Sequence, residues 1–205
     1  YFSASHSSLL WPQRWNNSFL FLKTLNIGIY IYNQAKVLDF SGPFEVFSVA
    51  NRLTNLGWNI WLVAEEKSLV EARGVFQVKP HYSIQNVPEL DVLIVVGGVH
   101  SDELRKTEVT NWIRKTPEKT QITASVCTWA FLLAEAGLLG RLEVTTHWED
   151  TPDLQRNYPN LQVRKGIRWI EQGKLFTEAG ISAGIDMSLE LVSKFVGLEL
   201  AEHTA

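Results

Sequence analysis

The sequence has a single cysteine, and that scarcity excludes both an intramolecular disulfide and a metal centre built from several thiolates. A lone thiol fits a reducing compartment, so a cytoplasmic protein is expected. Runs of Lys or Arg are also missing. Nineteen basic residues stand against twenty-two acidic ones, a net charge of -3, so the chain by itself is not expected to bind nucleic acid. No apolar stretch reaches the ~20 residues that a membrane-spanning helix requires. No segment repeats, and no ligand cluster points to a metal or an organic cofactor.

What the chain does have is core-forming material. Its 205 residues are 45% hydrophobic, enough for one compact domain, expected over residues 25–205. Tyr1 to Thr24 reads differently, as an N-terminal arm that mixes Ser, Asn and aromatic residues. Trp11-Pro12 and Trp15 interrupt any hydrophobic region there, so a cleavable signal is not expected.

From Leu25 onward, strand-like and helix-like runs alternate. Leu25–Tyr32 is β-branched and aromatic, and too continuously apolar for a half-exposed strand. After a polar loop, Ser41 or Gly42 is placed to cap a helix with Pro43 and Glu45 in its first turn. Val46, Val49, Ala50 and Leu53 form its inner stripe. Trp58–Ala64 reads as a strand, Val75–Tyr82 as a short strand interrupted by Pro80, and Asp91–Val96 as a buried parallel strand that stops on Gly97-Gly98. A helix is expected from Ser101 to Thr116, with Leu104, Val109, Trp112 and Ile113 inward. Glu143–Trp148 reads as a short strand, and Thr151 or Asp153 opens a short helix that runs to Tyr158. Ile167–Ile170 and Lys174–Thr177 make a hairpin about Gln172-Gly173. A last helix over Ala183–Val196 places Ile185, Leu189, Val192 and Val196 on one face and stops at Gly197. This alternation predicts an α/β fold with a mostly parallel sheet covered on both faces.

Cys127 sits where the β-like run Ile122–Val126 gives way to the helical run Thr128–Ala136. That is the layout of a nucleophile elbow, in which the turn lifts a reactive side chain clear of the sheet and a helix start lowers the thiol pKa. The alternative is a buried cysteine acting as a small hydrophobe. Asp39, between Leu38 and Phe40, is either a loop aspartate bonding nearby amides or a semi-buried acid with a raised pKa. Gly97-Gly98 is either a plain turn or a pair whose amides face a developing negative charge. His147, at the far end of its strand, reads as a hydrogen-bond partner before a catalyst. Asp39, Gly97-Gly98 and Cys127 all fall at strand carboxyl ends, where open α/β sheets bind ligands.

Several segments together resemble the ThiJ/PfpI superfamily, a flavodoxin-like three-layer fold related to class I glutamine amidotransferases. They are Leu38-Asp-Phe-Ser-Gly-Pro-Phe-Glu-Val-Phe, Gly97-Gly98, Ser125-Val-Cys-Thr, Ala136-Gly-Leu-Leu, Thr145-Thr-His-Trp148 and Ala183-Gly-Ile-Asp186. Within it the pattern is similar to isocyanide hydratases and to the ligand-sensing domains of AraC-type regulators, and Thr128 replaces the histidine that follows the cysteine in other branches. The resemblance implies Cys127 as nucleophile, Asp39 as the acid at its sulfur, and the Thr128 hydroxyl beside the sulfur. The amides of Gly98 and Thr128 become an anion-stabilising pocket, with His147 in support. It implies a homodimer that acts on a small molecule without a cofactor, concretely a hydro-lyase converting an isocyanide to an N-substituted formamide. A ligand-sensing domain and a redox-sensing cysteine are the other two readings. Trp129 and His100 depart from the hydratase pattern at positions where relatives keep small residues, and both would line the pocket. Glu178-Ala-Gly180 and Asp153–Tyr158 are closer to the regulators. The residues beyond Gly197 are too few for a helix-turn-helix domain, so a complete DNA-binding regulator is not expected.

Overall fold

The computed structural model describes residues 24–99, 101–180 and 182–205. The N-terminal arm expected over 1–24 therefore lies, apart from Thr24, outside the described residues, as does His100. In chain order the elements are β1 (Asn26–Tyr30), α1 (Val37–Thr54), β2 (Asn59–Ala64), β3 (Val70–Ala72), β4 (Phe76–Val78), β5 (Tyr82–Ser83) and β6 (Val92–Val95). They continue as α2 (Thr107–Lys115), β7 (Ile122–Ser125), α3 (Ala130–Glu135), β8 (Glu143–Val144), α4 (Thr151–Asn157), β9 (Gln162–Val163), β10 (Trp169–Gln172), β11 (Leu175–Glu178), α5 (Ala183–Phe195) and α6 (Leu198–Thr204).

Seven strands form one sheet in the order β10-β11-β7-β6-β1-β2-β5, parallel throughout except for the β10–β11 hairpin. The mostly parallel flavodoxin-like α/β architecture read from the sequence is the observed one. Its centre is β6, whose four residues Val92, Leu93, Ile94 and Val95 are fully buried between β1 and β7. Each such side chain contributes roughly 1.5–3 kcal/mol of burial. In β1, Tyr30 packs its ring 5.6 Å from Trp112 of α2, so alternation along the strand turns Ile27 and Ile29 to the opposite face. Helices α1, α5 and α6 pack together, and α2 packs with α3. Gly28 is needed in β1 because a Cβ there would lie 2.5 Å from Leu90 Cδ1. Among the described residues, no helix is long and apolar enough to cross a membrane.

The structure corrects several local expectations. Helix α1 starts at Val37 instead of after Ser41, so Asp39 lies in its first turn and Pro43 in its interior. Pro43 has no N–H to give, so the Asp39 carbonyl lacks that helical bond. Leu53 is exposed at 45%, and Phe47 is buried in its stead. The Val75–Tyr82 run is split between two sheets: Gly74 (φ 74) and Val75 (φ 60) turn the chain so that β4 folds back on β3, and past Lys79-Pro80-His81 the chain joins the main sheet as β5 beside β2. Lys106 adopts an extended conformation, so the segment after Ser101 is a short 3-10 turn followed by α2. The slot beside β7 belongs to β11, so Glu143-Val144 pairs instead with β9 in a separate ribbon. The buried face of α5 is Ala183, Gly184, Met187, Ser188, Leu191 and Val192. Gly184 rotates it, since a Cβ there would already lie 3.1 Å from Val126 Cγ1. Helix α6, past Gly197, was not anticipated.

Candidate functional site

The chain leaves β7 through Val126 into a 3-10 turn, Cys127–Trp129, from which α3 continues. Cys127 is fully buried and has φ 62, a left-handed conformation that costs a residue with a Cβ about 1–2 kcal/mol. Two groups hold the turn. The Cys127 amide donates to Glu178 Oε2 at 3.0 Å, and its carbonyl accepts from Thr146 Oγ1 at 2.8 Å. Glu178 reaches the elbow because β11 runs parallel to β7 with Thr177 opposite Ser125. Its other oxygen accepts from the Gly180 amide at 2.6 Å.

Asp39 approaches from α1 and is fully buried. Its Oδ2 accepts from the Gly97 amide at 3.1 Å, while Oδ1 has no hydrogen-bond partner among the described residues. Gly97 holds the site together by its lack of a side chain. A Cβ there would lie 2.5 Å from Asp39 Oδ2 and 2.7 Å from Cys127 Cβ, so the carboxyl and the cysteine flank the same glycine. Gly98 is constrained in the same way, with Gln34 O at 2.5 Å and Tyr32 Oη at 2.6 Å from its would-be Cβ. Neither glycine is among the residues with positive φ. Close approach, and not unusual backbone angles, is what requires them.

Their amides are also occupied. Gly97 donates to Asp39, and Gly98 donates to Thr128 Oγ1 at 3.1 Å, while that hydroxyl in turn donates to the Gly98 carbonyl at 3.2 Å. His147 Nδ1 lies 3.6 Å from Glu149 Oε2 and 3.7 Å from Asp150 Oδ2, and its ring is 5.7 Å from Trp148. In the Thr145-Thr-His-Trp motif it is Thr146 that touches the elbow. Trp129 is placed by its backbone in the 3-10 turn.

Three residues at the elbow had no role assigned there from the sequence: Lys36, and Glu178 and Thr146, which stand in segments that the resemblance singled out. Lys36 Nζ lies 2.6 Å from Cys127 Sγ. The signal was a lysine just before a helix start, where a cation opposes the helix dipole. For Glu178 it was an acid at the carboxyl end of a buried strand.

Burial dominates the electrostatics. It pushes the Cys127 thiol up to about 12, with the Asp39 carboxylate adding to the rise and Lys36 opposing it. The sequence predicts a lowered thiol pKa; only a 3-10 turn and the six-residue α3 follow the cysteine, and desolvation outweighs them. Burial also raises Asp39 to about 6, against Lys36, the Gly97 amide and Arg73. Glu178 rises to about 8 by burial, against its two amide bonds. A thiol, two proton-holding carboxyls and an amine therefore share one desolvated site, an arrangement suited to adding a sulfur to an electrophile and moving protons around it.

The chain is 33% identical over 179 residues to the isonitrile hydratase of Pseudomonas putida, which spans 87% of this chain and 75% of that protein. It is 26% identical over 177 residues to the HTH-type transcriptional regulator GbdR of Pseudomonas aeruginosa, covering 86% of this chain but only 48%, about half, of the regulator. A crystal structure of a ThiJ/PfpI family protein from Pseudomonas syringae superposes with a TM-score of 0.79 at 23% identity, over 89% of this chain and 73% of that one. The DJ-1/PfpI family matches residues 26–194, and the chain belongs to that family.

Proposed function

We propose that this chain is a cysteine-dependent hydro-lyase that hydrates an isocyanide to an N-substituted formamide. The observation that carries this reading is the pressing of the lone cysteine and a buried carboxyl against one glycine, Gly97. The likeness to an isonitrile hydratase supports it. The sulfur of Cys127 adds to the terminal carbon of R–N≡C, and Asp39 takes the thiol proton and delivers it to that carbon. Asp39 suits the task because its pKa of about 6 lets it hold and release a proton near neutrality. Water then adds to the carbon of the sulfur-bound imidate, and collapse expels the sulfur and frees R–NH–CHO. Thr128, whose hydroxyl is held by Gly98, follows the reacting cysteine directly in the chain and is assigned a place beside the sulfur. One α/β domain over 25–205, assembled as a cytoplasmic homodimer, is the form in which we place this activity.

Cys127→Ala and Asp39→Asn should each abolish formamide production from a simple alkyl isocyanide, followed by gas chromatography. Full activity in either variant would overturn the assignment.

A second reading is a ligand-sensing domain, and the raised thiol pKa favours it, since a protonated resting sulfur is a poor nucleophile. No turnover of isocyanides or aldehydes, together with thermal stabilisation by an unreacted metabolite, would select that reading.

A further inference from the structure

The reaction above leaves the amine at the sulfur without a task. Lys36 Nζ stands 2.6 Å from Cys127 Sγ, and its backbone is held in place from the site itself. The Lys36 amide donates to the Gly97 carbonyl at 2.8 Å, and the preceding Ala35 bridges Gly98. Lys36 is also the N-cap of α1, in an extended conformation and with no side-chain cap bond, so its long side chain is free to turn to the elbow. A cation at a helix N-terminus is unfavourable unless an anion faces it. The groups around it are the Cys127 sulfur, Asp39 and Glu178, with Arg73 acting on Asp39 from beyond. A second observation bears on the same amine. The amides of Gly97 and Gly98 are committed to Asp39 and Thr128, so neither is open to charge that develops on a substrate, and the Lys36 amine stands at the sulfur to meet it.

We propose that Lys36 is a catalytic residue: its ammonium steadies the Cys127 sulfur as it ionises and then protonates the nitrogen of the sulfur-bound imidate. The site thereby selects electrophiles whose attacked carbon is bonded to nitrogen. The ion pair stands on geometry alone, while the protonation step rests on the hydration reading.

The protons balance. The thiol proton passes to the Asp39 carboxylate, and the sulfur's electron pair forms the S–C bond. Asp39 returns the proton to that carbon, giving Cys–S–CH=N–R. Lys36 gives a proton to the nitrogen, and water adds its oxygen to the carbon while its proton restores the Lys36 ammonium. The C–S bond then breaks as C=O forms, and the hydroxyl proton ends on the departing sulfur.

The test compares wild type, Lys36→Met and Lys36→Arg, each checked for fold by circular dichroism. It measures the pH profile of Cys127 alkylation by iodoacetamide and the turnover of an alkyl isocyanide. The methionine variant should alkylate about tenfold more slowly at a fixed pH, an upward shift of about one pKa unit. The arginine variant should keep near-wild-type alkylation, because it keeps the charge, yet lose turnover, because a guanidinium does not give up its proton. A wild-type alkylation profile in Lys36→Met would overturn the ion pair, and wild-type turnover in Lys36→Arg would overturn the protonation step. If no protein turns over isocyanide but Lys36→Met still alkylates slowly, the ion pair is supported, and the protonation step falls with the hydration reading.

Discussion

Two buried polar clusters lie at the carboxyl side of the same sheet and are built on opposite plans. In one, Glu103 is 4% exposed and accepts from the Tyr30 hydroxyl with one oxygen and from Lys106 Nζ at 2.9 Å with the other. Lys106 reaches on to Glu65 at 2.6 Å, and a cavity of about 240 Å³ opens beside these residues. Both Glu103 oxygens are used. In the other cluster Asp39 keeps a bare Oδ1, Cys127 holds φ 62, and burial drives two carboxyls up to about 6 and about 8. A saturated network lowers the energy of the fold, whereas an incompletely satisfied one keeps reactive groups poised and destabilises it.

The sharpest way to break this contrast is pH. Glu178 binds its proton more tightly in the folded protein, about 8 against an ordinary 4.5. Its contribution to stability is thus fully present below about pH 4.5 and is lost as pH rises through about 8. Asp39 behaves likewise between 3.8 and about 6. Each removes up to about 1.4 kcal/mol per pH unit within its window. Urea unfolding should show stability falling from about pH 6 to 8, where Glu178 dominates, and Glu178→Gln should flatten that slope. An unchanged slope would refute the assignment.

Next in size is Glu103→Ala. It removes the acceptor of the Tyr30 hydroxyl's bond and leaves Lys106 with Glu65, so it should cost about 3 kcal/mol, the low end for breaking a buried pair because Lys106 is 36% exposed. Turnover per folded molecule should hold, and a loss of activity without a loss of stability would erase the distinction between the clusters. Gly97→Ala should do the reverse. Its Cβ would displace Asp39 or Cys127, and a misplacement near 1 Å costs about 100-fold in rate. Wild-type kinetics in that variant would remove the shared glycine from the mechanism.

The sheet was legible because its strands are continuous apolar runs such as Val92–Val95, and the elbow because the lone cysteine falls at a strand end. Asp39 and Gly97 were legible as positions, though the physical reason for Gly97 is contact distance, which no local pattern carries. Lys36, Glu178 and Thr146 were hidden because each reaches Cys127 across 19 to 91 residues of chain. Which strand lies beside β7 decides whether Glu178 meets the cysteine, and strand order is not written in periodicity. The sequence places the start of α1 too late because Pro43 looks like a first-turn residue, although the helix begins at Val37, just after the Lys36 amide has bonded the Gly97 carbonyl.

The smallest effect should come from Tyr30→Phe, and it tests whether the saturated cluster owes its stability to hydrogen bonds or to packing. The ring lies between Tyr32, centroids 6.4 Å apart and stacked, and Trp112 at 5.6 Å, and phenylalanine preserves both contacts. The change removes the donor to Glu103, whose other oxygen keeps Lys106. A buried acceptor that loses one of two partners costs about 1–2 kcal/mol, so the thermal midpoint should fall by roughly 2–8 °C in a chain of this length. A fall as large as that of Glu103→Ala would mean that the hydroxyl is the principal tie of the network. No fall at all would mean that the aromatic stack and Lys106 hold Glu103 without it, and the saturation of this cluster would cease to explain its difference from the cysteine site.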